Sequence, residues 1–228
     1  MKNLATPRMQ ALQSAFQSSC VKDCNGVWFS CAENVLHRNS VNKYVFADAI
    51  RNLLEKGRGK HRNIYIVGPG NSAKTFLLKP LLCIYPEHFS NPASSTFSWI
   101  GADQASLILL NDYRWHTKKN GGNIDWGVFL NLLEGSECNL PAPMNMYAKH
   151  VKITTDVPIV ATGPYMIQWY INSPDEIRTQ KHEKEDDQMA LRWRKFEFTH
   201  KFTDADEIKD VPECMACFAK LAMLGKEQ

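Results

Sequence analysis

The chain has 228 residues, 44% hydrophobic and 11% aromatic, and a net charge of +3. That composition excludes an intrinsically disordered protein and supports one sizeable domain with an extension, or two small ones, while the charge is too mild to argue for nucleic acid by itself. No stretch approaches the roughly 18 apolar residues of a membrane span, and the first residues lack the apolar core of a signal peptide, so no membrane association or secretion is expected.

The first sixty residues read as a small helical bundle. Met9, Leu12 and Phe16 recur at helical spacing within residues 8–19, Asn25 and Gly26 interrupt, and residues 27–36 give a second helix. A third covers residues 45–54 and stops at Gly57 and Gly59. The basic segment Lys56 to Arg62 leads out of it. Seven cysteines, an odd number in a chain without a secretion signal, point to free thiols in a reducing compartment, nuclear or cytoplasmic. Cys20, Cys24, Cys31 and His37 invite a zinc reading, but their spacing matches no tight knuckle pair. Cys214 and Cys217 do form a C-x2-C pair, on a segment that reads as helical. Core thiols are the default for both groups, because cysteine is a common buried residue.

The stretch from Asn63 to Lys79 organises the rest. An apolar run, Ile64 to Val67, ends at Gly68, and the loop Gly68-Pro69-Gly70-Asn71-Ser72-Ala73 leads to Lys74-Thr75 and an apolar helical segment. Strand, small-residue loop and helix in that order form the context of a P-loop, whose backbone N–H groups cradle a polyphosphate. Lys74 is then expected to reach the β- and γ-phosphates of ATP, and the Thr75 hydroxyl to hold Mg²⁺. Ala73 stands where the pattern has its second glycine, and its methyl group matters if that backbone needs a positive φ. The alternative is an ordinary glycine–proline turn between strand and helix.

Downstream, residues 76–85 read as a helix that Pro80 should kink. Ser98 to Ile100 is a candidate short strand. Ala105 to Asp112 is an apolar run ending in Asn111-Asp112, as a buried parallel strand does, with ligand groups at its carboxyl end. Asp112 is thus the candidate acid for the Mg²⁺–water system, while Asn111 leaves one of two usual acidic roles without a carboxylate. A polar loop at 116–123 precedes an amphipathic helix from Ile124 to Leu133, with Glu134 a weaker carboxylate candidate.

Residues 139–153 read as two short extended pieces joined by a turn, where Lys149, His150 and Lys152 lie near Tyr147, a combination useful against a nucleic-acid backbone. Val157 to Gly163 is a further core strand, with Thr162 at its tip placed to sense a γ-phosphate. Lys181 to Asp187 reads as a solvated loop. Arg192 and Arg194 precede an alternating strand, and arginine is the residue type that stabilises a transferring phosphoryl group. Residues 206–224 read as a closing helix.

This order of motifs resembles a superfamily-3 helicase domain, the AAA+-related type of the replication proteins of parvoviruses and other small DNA viruses. It is especially similar to helicase-like proteins of animal transposons and endogenised viral elements. The resemblance rests on residues 68–75, the run into Asn111-Asp112, the stretch with Lys149, the strand Pro158 to Gly163, and Arg194 to Phe198. It implies an α/β P-loop NTPase with a central, mostly parallel sheet, preceded by a small helical bundle that helps subunits assemble. The corresponding divisions are 1–60, an ATPase core at 61–203 and a helical tail at 204–228. The family pattern gives Lys74 to phosphate, Thr75 and Asp112 to the metal site, Lys149 to a DNA-contacting hairpin, and Arg194 to the finger supplied to a neighbour's ATP. Single-stranded DNA and self-association into a hexameric ring are the implied partners. Ala73, Asn111, and Gly163 in place of a water-orienting Asn depart from the pattern, each bearing on hydrolysis more than on binding. A hydrolytically weak module, with ATP as assembly glue, is therefore the rival expectation, and a small monomeric P-loop kinase a third.

Overall fold

The structure, a computed structural model, describes residues 2–91, 99–115, 124–141, 151–168, 180–203, 206 and 208–225. Three helices come first: α1 (Ala5–Gln17), α2 (Val27–Arg38) and α3 (Lys43–Lys56). Asn42 starts α3 as its cap, its side-chain oxygen accepting from the N–H groups of Tyr44 at 2.9 Å and Val45 at 3.3 Å. Strand β1 (Asn63–Val67) follows, then α4 (Lys74–Leu78) and α5 (Pro80–Ile84). The interruption falls where expected, because Pro80 has no N–H to continue the helical ladder.

Next come β2 (His88–Ser90), β3 (Leu107–Leu110), α6 (Trp126–Glu134), the antiparallel pair β4 (Cys138–Leu140) and β5 (Val151–Ile153), and β6 (Ile159–Gly163). The chain closes with α7 (Gln180–Ala190), β7 (Trp193–Glu197), a 3-10 turn at Ile208–Asp210 and α8 (Met215–Ala222).

Strands β2, β3, β6, β1 and β7 form one sheet in that order, and every pairing is parallel. All residues of β1, β3 and β6 are buried, which is why Ile64 to Val67, Leu107 to Leu110 and Ile159 to Ala161 are continuous apolar runs. Alternation along each strand divides the core between two layers. Ile64, Ile66, Leu107, Leu109 and Val160 face the layer built with α1, α2, α3, α4, α5 and α8. Tyr65, Ile108, Leu110, Ile159 and Ala161 face the layer built with α6 and the β4–β5 pair. The helices from both ends of the chain therefore share one apolar core with the sheet. A buried ion pair adds to this join: Arg8 of α1 is paired with Asp156, just before β6, at 2.8 Å, and its Nε donates to the carbonyl of Leu54 at 2.8 Å.

Three expectations are corrected. Residues 181–187 are helical, part of α7, because Glu, Lys and Gln favour helix and Met189 anchors the segment with a buried side chain. Trp99 and Ile100 lie in a turn rather than a strand, and the edge strand is β2, too short and too mixed in burial to give a pattern. The closing helix starts only at Met215, after a bend around Pro212.

Candidate nucleotide site

The loop at 68–73 is fixed from both sides. The N–H of Gly68 donates to the carbonyl of Gly163 on β6 at 3.0 Å, and that of Phe198, just past β7, donates to the carbonyl of Val67 at 2.7 Å. Farther along, Phe202 donates to the carbonyl of Asn71 at 2.7 Å. Only glycine fits at 68, since a Cβ there would lie 2.2 Å from the carbonyl oxygen of Phe198. Asn71 and Ala73 hold left-handed backbone, φ 59° and 62°. Ala73 thus occupies the conformation for which the P-loop pattern uses glycine.

Ser72 is buried and donates to the carbonyl of Pro69 at 2.9 Å. Lys74 Nζ donates to the carbonyls of Gly68, at 2.7 Å, and Pro69, and to Ser72 Oγ at 3.1 Å. Burial pushes the Lys74 ammonium below the ordinary lysine range, and the charge of Asp112 partly opposes the shift.

Opposite Lys74, the tip of β3 presents Asn111. Its Oδ1 accepts from the hydroxyls of Thr75 at 2.8 Å and Thr162 at 2.9 Å. Thr162, almost fully buried at the end of β6, also accepts from the N–H of Asp112 at 2.8 Å. Asp112 itself is left-handed (φ 49°) and exposed, and pairs with Arg114 at 3.2 Å. The side chain that meets Thr75 is therefore that of Asn111, while Asp112 and Arg114 stand on the open side of the same cleft. Gly163 has its own packing reason: a Cβ there would meet the Tyr65 hydroxyl at 2.2 Å.

The cleft measures about 590 Å³ and is lined by most of the loop, Lys74, Thr75, Lys79, Asp112, Arg114, Thr162, Ile208, Val211 and Glu213. This size suits a nucleotide-sized ligand. Its wall combines the Lys74 amine, the hydroxyls of Thr75 and Thr162 and the Asp112 carboxylate with the apolar Ile208 and Val211, the kinds of group that a nucleoside triphosphate with a magnesium ion requires. A larger cleft of about 680 Å³, between Phe16, Phe29, Met223 and Leu224, has Lys220 as its only charged wall residue among those described and offers no comparable constellation.

Other predicted residues stand elsewhere. Arg194 is exposed on the edge strand β7, in register with Ile64 at the start of β1, so it does not line this cleft. Arg192 is buried, donating to the carbonyls of Leu130 and Gln188 and to Glu134 at 2.9 Å. Glu134 also meets Lys60 at 2.7 Å, and that contact, with Arg192, holds its carboxyl below the usual range. Both are thereby committed to structure. Lys152 is exposed on β5 and paired with Glu137 at 2.9 Å. Lys149, His150 and Tyr147 lie outside the described residues. Arg114 was missed by sequence reasoning, although its place two residues after Asp112 was a usable signal.

No protein-family model matches the chain, and no curated protein matches its sequence. Solved structures do resemble it. JCV helicase in complex with a small-molecule acetamide superposes with a TM-score of 0.59 at 13% identity, over 95% of this chain and 60% of that one. Another JCV helicase structure gives 0.54 at 13% identity, over 96% and 60%. The apo C-terminal region of NrS-1 gives 0.54 at 12% identity, over 92% and 49%. The chain thus spans at most 60% of these structures' length, and at such identities the likeness establishes a helicase-like fold. No helix among the described residues is long and apolar enough to cross a membrane.

Proposed function

We propose that the chain is an ATP-binding, Mg²⁺-dependent ATPase that assembles into a ring and acts as a DNA helicase or translocase in the replication of a virus- or transposon-like element. The observation that carries this reading is the convergence of Lys74, Thr75, Asn111 and Thr162 at the carboxyl edge of a five-stranded parallel sheet, where α/β folds bind their ligands. When bound, ATP supplies the phosphoanhydride bond and Mg²⁺ neutralises charge on its oxygens. The loop from Gly68 to Ala73 would hold the phosphates, Lys74 would place a cation against them, and Thr75 with Asn111 or Asp112 would hold the metal. Thr162 would orient groups at the far phosphate, and Arg194 would complete a neighbouring subunit's site. Lys149 and Lys152 are the proposed contacts to single-stranded DNA.

A second reading has its own support. Ala73 is strained, the side chain against Thr75 is an amide, and the nearest carboxylate pairs with Arg114. These favour a nucleotide-binding assembly module with feeble hydrolysis. Phosphate release measured with and without single-stranded DNA, beside nucleotide-dependent sedimentation, separates the two. DNA-stimulated turnover that Lys74→Ala abolishes supports the ATPase; assembly without phosphate release supports the module; neither response refutes both.

A further inference from the structure

We propose that Cys20, Cys24, Cys214 and Cys217 form a tetrathiolate site for one zinc ion, tying the α1–α2 turn to the start of α8. Their four sulfurs lie within 4.8 Å of one another. Cys217 Sγ is 3.5 Å from that of Cys20 and 3.7 Å from that of Cys24. A tetrahedral Zn²⁺ with bonds of about 2.3 Å sets its sulfurs roughly 3.8 Å apart, whereas a disulfide brings two to about 2.05 Å. The observed separations match the first arrangement.

Two further features distinguish the cluster from thiols that merely share a core. The ligands come as C-x3-C and C-x2-C pairs; the first is looser than a tight knuckle pair, and both fall within the range of structural zinc sites. The pairs approach from chain segments 197 residues apart, yet all four sulfurs point at one spot. Cys31, the third cysteine of the N-terminal group, does not belong to the cluster. Each ligating thiol would release its proton on binding, leaving four thiolates on the ion. The site would also bear on the nucleotide cleft, because Glu213, adjacent to Cys214, lines that cleft and pairs with Lys79 at 2.8 Å.

The test is elemental analysis of the full chain, purified without chelator, together with the absorption spectrum after exchange of bound metal for Co²⁺. One zinc per chain is expected, with a cobalt spectrum showing thiolate charge transfer and tetrahedral bands. Cys214→Ser combined with Cys217→Ser should lose both signals, and Cys31→Ser should keep both. A folded wild-type chain with less than a tenth of an equivalent of zinc and no cobalt–thiolate band would overturn the proposal, as would iron as the resident metal. Because the wild-type chain gives both readouts, a variant that fails to fold does not obscure the answer.

Discussion

At the residue scale the P-loop is defined by what it tolerates. Ala73 sits at φ 62°, a conformation that costs a non-glycine residue about 1–2 kcal/mol. The extra unfolded-state freedom of glycine offsets about 0.5–1 kcal/mol of that, and the Ala73 methyl packs at the rim of the core. Ala73→Gly should therefore stabilise the chain by up to about 1 kcal/mol in urea denaturation, and a loss of stability would show that the methyl contact outweighs the strain. Asn111 gives a second case. Its Oδ1 already accepts from two hydroxyls, so Asn111→Asp places a charge where donors are waiting. Steady-state assays across a Mg²⁺ titration should show turnover rising several-fold and half-saturation at lower Mg²⁺; unchanged Mg²⁺ dependence would mean that the β3 tip does not face the metal. The placement of Lys74 and Thr75, at the start of a helix behind strand and loop, was legible in the sequence because the three pieces are contiguous. The division of labour between Asn111 and Asp112 was not: period two sets residue 111 on the side of Leu107 and Leu109, but only the packing shows that this is the side covered by α4 and Thr75.

At the element scale, long periodic segments announced themselves and short or charged ones did not. α1, α2, α3 and α6, and the apolar runs of β1, β3 and β6, follow directly from period and burial. α7 reads as a loop in the sequence because its charges hide Met189, the one buried anchor among its described side chains. Nor can any local pattern show that α1 is fastened to the segment before β6. That fastening is the Arg8–Asp156 pair, whose side chains are 3% and 5% exposed. Burial alone would raise the Asp156 carboxyl, but hydrogen bonds from Arg8 and the Leu4 N–H, with the charge of Arg8, hold it below its ordinary value of 3.8. A carboxyl depressed on folding contributes stability that is present above that ordinary value and lost as pH falls through the lower, folded one. Asp156→Asn strands the Arg8 charge and should destabilise by about 3–5 kcal/mol at neutral pH. Stability measured from pH 7 down to about 2 should also fall less steeply in the variant than in the wild type; parallel curves would mean that other carboxylates govern the acid limb.

At the scale of the whole molecule, the arginine proposed to act on phosphate stands apart from the cleft of its own chain. Arg194 lies in register with the first residues of β1, while the P-loop follows the last of them, and the cleft is lined without it. A span of three residues along a strand is about 10 Å, and Arg194 is exposed on the outer edge of the sheet. If it serves a phosphate at all, that phosphate belongs to a neighbour, which requires the head-to-tail contacts of a ring. Lys74→Ala and Arg194→Ala should then each be inactive alone, the first without nucleotide binding and the second with it intact. Mixed in equal amounts and allowed to exchange, they should recover activity. A working site needs the intact Lys74 of an Arg194→Ala subunit beside the intact Arg194 of a Lys74→Ala subunit. Random assembly supplies that order at about a quarter of the interfaces in a closed ring of head-to-tail contacts. Turnover near that fraction of wild type would place the arginine across the interface; none, with subunit exchange verified, would confine it to a role on its own sheet edge.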